Sequence, residues 1–173
     1  MKKQVWIIVA VAILFAVLGI LAGTRNTSVE PPKADAAAIL YAQSLPDAAG
    51  KSQALSQWKG KTLVVNFWAT WCPPCVEEMP DLDKFQAQSA ARNVQVIGIG
   101  IDSADNIRNF AQKHRIAYPI YIAGMEGTEL ARQLGNTKGA LPFTIVITPD
   151  GRVQQSYLGR LNMETLRKDL GLI

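Results

Sequence analysis

Apolar and polar positions divide this chain into three zones. From Val5 to Gly23 (VWIIVAVAILFAVLGILAG) there are 19 residues without a charge. From Thr24 to Asp35 (TRNTSVEPPKAD) there is no apolar periodicity, and Pro31-Pro32 interrupts the segment. From Ala36 onward, short apolar runs alternate with amphipathic stretches. Thr62–Trp68 (TLVVNFW) and Val94–Ile101 (VQVIGIGI) are near-continuous and β-branched, the pattern of strands buried on both faces. Tyr118–Ile122 is a shorter strand, and Phe143–Thr148 with Val153–Leu158 forms an antiparallel pair around the turn Pro149-Asp150-Gly151. Leu40–Leu45 and Ser52–Leu55, around Pro46 to Lys51, read as an N-terminal hairpin.

Between these strands lie helical signals. One helix is expected from Cys72-Pro73-Pro74-Cys75 to about Ser89, since proline suits a first turn and Pro80 is expected to bend it. Ser103 can cap a second helix, Ala104 to His114, with Ile107, Phe110 and Ala111 on one face. Gly127–Leu134 stops at Gly135, and Asn162 can cap a last helix with Met163, Leu166 and Leu170 inward. Strands alternating with helices indicate an α/β fold, and the closing hairpin makes its sheet mixed.

The first zone spans close to 30 Å as a helix at about 1.5 Å per residue, the thickness of a bilayer's hydrocarbon core. Trp6 stands at one end, where an interfacial aromatic belongs. A cleaved signal is the alternative, but its apolar region runs to about 7–15 residues and ends in a small-x-small site. Here Ile20 is too large for that site. Lys2 and Lys3 precede the span and Arg25 follows it, so the positive-inside rule keeps the N-terminus cytoplasmic and exports the rest. The organisation expected is an anchor at 1–23, a tether at 24–35 and a folded domain at 36–173.

Composition then removes other classes. The chain is 49% hydrophobic, with 18 Lys+Arg, 14 Asp+Glu, one His and two Cys in 173 residues. It is too apolar to be disordered. The net charge of +4 is concentrated beside the apolar span, and no basic cluster remains for nucleic acid. Gly98-Ile99-Gly100 lacks the third glycine of a dinucleotide site. Two cysteines are too few for a disulfide scaffold.

What remains is the pair Cys72 and Cys75. A disulfide that closes so short a loop is worth only about 2 kcal/mol in the chain-entropy model, so it would staple almost nothing. A metal site would need ligands from a partner, because His114 is the only histidine. Redox chemistry has a specific basis. At a helix N-terminus Cys72 faces the positive end of the macrodipole, which favours the thiolate. It is therefore expected to be the exposed nucleophile, and Cys75, one turn later, the more buried resolving thiol. Pro73 and Pro74 remove two N–H donors from the loop and stiffen it. Glu78 shares the face of Cys75 and is placed to relay protons, with an ordinary helix carboxylate as the alternative. Glu77 points away, and His114 is expected to end its helix without chemistry.

Asn66-Phe67-Trp68-Ala69-Thr70-Trp71-Cys72-Pro73-Pro74-Cys75, Glu78 with Pro80, Gly139-Ala140-Leu141-Pro142 and the Pro149-Asp150-Gly151 turn resemble the thioredoxin superfamily. More narrowly they resemble its membrane-anchored TlpA/ResA-like thiol–disulfide oxidoreductases, over most of Ala36–Ile173. The resemblance implies a thioredoxin fold whose mixed central sheet is flanked by helices, with a helix–strand insertion between Ser103 and Ala123. It implies that Pro142 is cis and packs against the cysteine pair, that Leu141 contacts the substrate, and that Trp71 is a rim for the partner. Two departures stand out. Leu141 replaces the small or β-branched residues often seen there. Asn66 replaces the aspartate of cytosolic thioredoxins, a role that Glu78 resembles taking over.

The expected function is an exported oxidoreductase exchanging dithiol and disulfide with cysteine-containing proteins. It needs no organic cofactor, since the cysteine pair is itself the redox group. By analogy it is a reductant supplied by a membrane thiol transporter, acting on apocytochrome c or copper-site proteins. Rival readings are a disulfide-donating oxidant, a thiol peroxidase, and a non-enzymatic metal or haem-handling module.

Overall fold

The computed structural model describes residues 36–173; the expected anchor and tether lie outside them. Among the described residues no helix is long and apolar enough to cross a membrane.

The elements in order are α1 (Ala36–Tyr41), β1 (Ser44–Pro46), β2 (Ser52–Ala54), β3 (Thr62–Trp68), α2 (Pro73–Ser89), β4 (Val94–Gly100), α3 (Ala104–His114), β5 (Ile120–Ile122), α4 (Gly127–Gln133), β6 (Phe143–Ile147), β7 (Val153–Leu158) and α5 (Met163–Asp169). A five-stranded sheet runs β5-β4-β3-β6-β7. Strands β3, β4 and β5 are parallel, and β6 and β7 are antiparallel to their neighbours. Helix α3 and strand β5 form the expected insertion, added at the parallel edge.

Helices cover both faces of the sheet, which is why β3 reads as a continuous apolar run. Leu63, Val65 and Phe67 enter one cluster, under α1 and α4, with Ile97, Ile99, Ile145 and Leu130. Val64 and Trp68 enter the other, under α2 and α5, with Val96, Met79, Leu82 and Leu166. The side-chain period of two sorts one strand into both clusters. Close packing also explains the glycines of β4. A Cβ on Gly100 would come within 2.3 Å of Ile107 Cδ1, so the bare backbone is what lets α3 lie against the sheet.

Several boundaries differ from expectation. The hairpin exists, as Ser44–Pro46 paired with Ser52–Ala54, but Leu40 belongs to α1. The segment Ala36-Ala37-Ala38 is a strong helix former, and Leu40 with Ala36 and Ala37 supplies its buried face. Tyr118 stays outside β5 because Pro119 has no N–H for the ladder, although Tyr118 itself is buried. Helix α2 runs through Pro80 to Ser89, as expected. Ser103 and Asn162 cap as expected, accepting from the N–H groups of Asn106 and Thr165.

Candidate functional site: a cysteine pair over a buried carboxylate

Strand β3 ends at Trp68, the chain turns through Ala69-Thr70-Trp71, and α2 begins. Cys72 is its N-cap in extended conformation, and Pro73 and Pro74 fill the first two helical positions, where an N–H has no partner to lose. The N–H groups of Cys75 and Val76 both donate to the Cys72 carbonyl, at 3.0 and 3.1 Å. Cys72 and Cys75 are joined by a disulfide, S–S 1.99 Å.

Cys75, Glu78, Met79 and Leu82 recur at the spacing of one helical face, and all are buried. The ranking expected for the two thiols holds, with Cys75 fully buried and Cys72 5% exposed. Cys72 is nonetheless less open than the sequence implied, because it joins the apolar cluster beneath α2. Exposure falls instead on Trp71, at 62%.

Glu78 is 1% exposed, and each of its oxygens has a partner. Oε1 accepts from Asn66 Nδ2 at 2.7 Å, and Oε2 accepts from the Leu161 N–H at 2.7 Å. Burial pushes its pKa up; the Leu161 and Asn66 hydrogen bonds and the charge of Arg160 pull the other way without cancelling it. A carboxyl that holds its proton more tightly than usual, one helical turn from Cys75, can take a thiol proton and return it. Asn66 also donates to Thr144 Oγ1 at 3.0 Å, which ties β6 to the same network. Residue 66 therefore orients the Glu78 carboxyl group.

The peptide bond between Leu141 and Pro142 is cis. Register places it: Phe67 pairs with Phe143, so Pro142 lies beside Trp68, at the sheet end that carries the cysteines. Pro142 is buried, and half-buried Leu141 packs against the cluster that contains both sulfurs. Trp71, Cys72, Cys75, Glu78, Leu141 and Pro142 thus gather at one end of the sheet. His114 does not join them; it is exposed at the end of α3, stacked on Phe110 with ring centroids 4.1 Å apart. Glu77 is exposed and pairs with Arg160 at 2.9 Å. No group of three or more His, Cys, Asp or Glu side chains suited to a metal ion occurs among the described residues.

Two contributors were not legible beforehand. Leu161 reaches Glu78 through its backbone across 83 residues of sequence, which no motif announces. Asp102 is 7% exposed, just past β4, and accepts a hydrogen bond from Thr70 Oγ1 in the redox turn. Burial raises its pKa, but hydrogen bonds from Thr70, Asn106 and Ser103 outweigh that and hold it below the usual carboxylate range. The only prior signal was that residues following neighbouring parallel strands emerge side by side.

A family model described as Redoxin matches residues 27–170. The thiol-disulfide oxidoreductase ResA of Geobacillus kaustophilus (strain HTA426) is 28% identical over 173 residues, covering 98% of this chain and 97% of the relative. The protein of the same name from Bacillus thuringiensis subsp. konkukian is 32% identical over 125 residues, 72% of this chain and 70% of that one. Among solved structures, a thiol:disulfide interchange protein of the thioredoxin family from Chlorobium tepidum TLS superposes with a TM-score of 0.61. It is 28% identical and covers 75% of this chain and 94% of its own. With a thioredoxin-like sheet, a C-x-x-C disulfide at its end and these relatives, the chain belongs to the Redoxin family of the thioredoxin superfamily, as a ResA/TlpA-like thiol–disulfide oxidoreductase.

Proposed function

We propose that this oxidoreductase is a membrane-anchored reductant, working outside the cytoplasmic membrane on cysteines of exported proteins such as apocytochrome c or copper-site proteins. A membrane thiol transporter supplies its electrons. The observation that carries the reductant direction is how few donors face the Cys72 sulfur. Pro73 and Pro74 have no N–H, and the next two N–H groups, of Cys75 and Val76, are spent on the Cys72 carbonyl. A strong oxidant of this class has a stabilised reduced form, and hydrogen bonds to its thiolate are one source of that stability. With few of them, the dithiol gives up electrons more readily.

The reaction proceeds in two displacements. The Cys72 thiolate attacks one sulfur of a partner disulfide; a Cys72–partner bond forms and the other partner sulfur leaves as thiolate. Cys75 then yields its proton to Glu78 and attacks Cys72. The Cys72–Cys75 disulfide forms, the first partner sulfur leaves, and the two partner thiolates take up protons. Two electrons pass to the partner. Trp71 and Leu141-Pro142 flank the attacking Cys72 sulfur and orient the partner.

Two features support the anchored reading. The apolar run of 19 residues precedes the domain. Helix α1, where the domain begins, lies beside the Pro149-Asp150-Gly151 turn, with Ala37 Cβ 3.9 Å from where a Cβ on Gly151 would stand. That turn follows Ile147, which pairs with Leu63 at the start of β3, so the chain enters at the sheet end away from Cys72. An anchor there leaves the Trp71 rim free to meet partners.

Equilibrating the protein with thiol buffers measures its reduction potential. The reductant reading expects a value well below the roughly −120 mV of a strong disulfide donor. A value near that figure would make it an oxidant.

A further inference from the structure

Asp102 is a costly residue for its place. A buried carboxylate is tolerated when it is paired or fully hydrogen-bonded, and among the described residues Asp102 has no salt-bridge partner. Its two oxygens divide their work. Oδ1 accepts from the Ser103 N–H at 2.6 Å and Asn106 Nδ2 at 2.8 Å, at the start of α3. Oδ2 accepts from Thr70 Oγ1. Capping α3 alone does not call for the second set, because Ser103 already caps that helix through the Asn106 N–H. The redox turn does call for it. Between Trp68 and Cys72 the turn's backbone is closed by the Cys72 N–H to the Ala69 carbonyl, at 3.2 Å. Thr70 lies between those two residues, immediately before Trp71.

The frame that carries the carboxylate is firm. Trp68 and Gly100 are paired across β3 and β4, and the Ile101 N–H donates to the Trp68 carbonyl at 2.7 Å. Residues 70 and 102 therefore leave the sheet side by side.

We infer that Asp102 is a positioning residue for the redox turn: its carboxylate holds Thr70, and through Thr70 the peptide that keeps Trp71 at the rim and aims Cys72 at the partner's sulfur. This rests on Cys72 being the attacking thiol. It also gives the α3–β5 insertion a role, since its first residues hold the turn in which the nucleophile sits.

The test separates this role from capping. Thr70→Val deletes the hydroxyl donor and leaves every bond from Asp102 to α3 in place. Thr70→Ser restores the hydroxyl. The reduced protein is mixed with an aromatic disulfide that releases a coloured thiolate, and the concentration-dependent first phase reports attack by Cys72. Thr70→Val is expected to slow that phase about tenfold, as for loss of a hydrogen bond to a charged group, while Thr70→Ser stays within about twofold of the parent. The double variant Thr70→Val/Asp102→Asn is expected to be no slower than Thr70→Val alone, because the hydroxyl through which residue 102 holds residue 70 is already gone. Attack by Thr70→Val at the parental rate, no rescue by serine, or effects of the two single variants that multiply would each overturn the positioning role. A first phase that persists in Cys72→Ser would instead overturn the assignment of the nucleophile.

Discussion

Glu78→Gln isolates the proton step from the fold. Both carboxylate oxygens accept from donors, Asn66 Nδ2 and the Leu161 N–H, each at 2.7 Å. Glutamine keeps an oxygen for Leu161 and turns its amide N–H toward Asn66. Asn66 can respond by rotating its own amide, which brings its buried, unpartnered Oδ1 around to accept. Thr144 Oγ1 then donates to that oxygen where it formerly accepted from Nδ2. The flip leaves Asn66 Nδ2 where Oδ1 had no partner, so the change costs about 1–3 kcal/mol, the penalty of one unsatisfied buried donor. What it removes is the base for Cys75, and general-base catalysis contributes about 10²- to 10⁴-fold. Stopped-flow reaction of the reduced protein with the chromogenic disulfide separates the two displacements. The first thiolate is released by Cys72 and the second by resolution through Cys75. Glu78→Gln is expected to leave the first phase within about threefold of the parent and to slow the second by about 100-fold near neutral pH. The parental second phase should also rise with pH through a midpoint above the usual carboxylate range, an inflection absent from the variant. A second phase within about threefold of the parent at every pH from about 5 to 9 would refute the relay.

Further outcomes follow from the same contacts. Asn66→Ala removes a hydrogen bond that lowers the Glu78 pKa, so the midpoint of the resolution phase should move further upward; a midpoint that stays put would dissociate Asn66 from the relay. Burial raises the Glu78 pKa above its unfolded value, so its contribution to stability is complete below the ordinary carboxylate range and is lost as pH rises through the folded value. Urea titrations of the oxidised protein should show that decline, and Glu78→Gln should be flatter over the same window. Gly100→Ala places a Cβ 2.3 Å from Ile107 Cδ1 and 3.0 Å from its Cγ1 in a buried contact, and should destabilise the domain by about 1–3 kcal/mol in the same titrations; a neutral result would show that α3 lifts freely from the sheet.

The α/β pattern, the helix and strand between Ser103 and Ala123, and the cysteine pair were readable in sequence because each rests on local signals. TLVVNFW could be recognised as a doubly covered strand from its unbroken apolar run, and Ser103 and Asn162 from their capping positions. The hairpin's first strand was extended too far because Leu40 is apolar in either reading, and only its contacts with the core decide for α1. The spacing of Cys75 and Glu78 predicted a shared buried face, yet not which donors hold a carboxylate there. That depends on Asn66 and on the Leu161 backbone, brought together by β3 and by the chain beyond β7. Asp102 was invisible for a similar reason. Its function comes from the parallel pairing of β3 with β4, whose register cannot be read from either strand alone.

Cys72 makes the bond to the partner and Cys75 breaks it. The most direct measurement is the mass of the adduct formed when reduced Cys75→Ser protein meets a disulfide-bonded protein substrate. The expected product is a stable mixed disulfide, mapped by peptide mass to Cys72, abolished by Cys72→Ser and released by added thiol. No adduct under conditions where the parent reduces the substrate, or an adduct that survives Cys72→Ser, would contradict it.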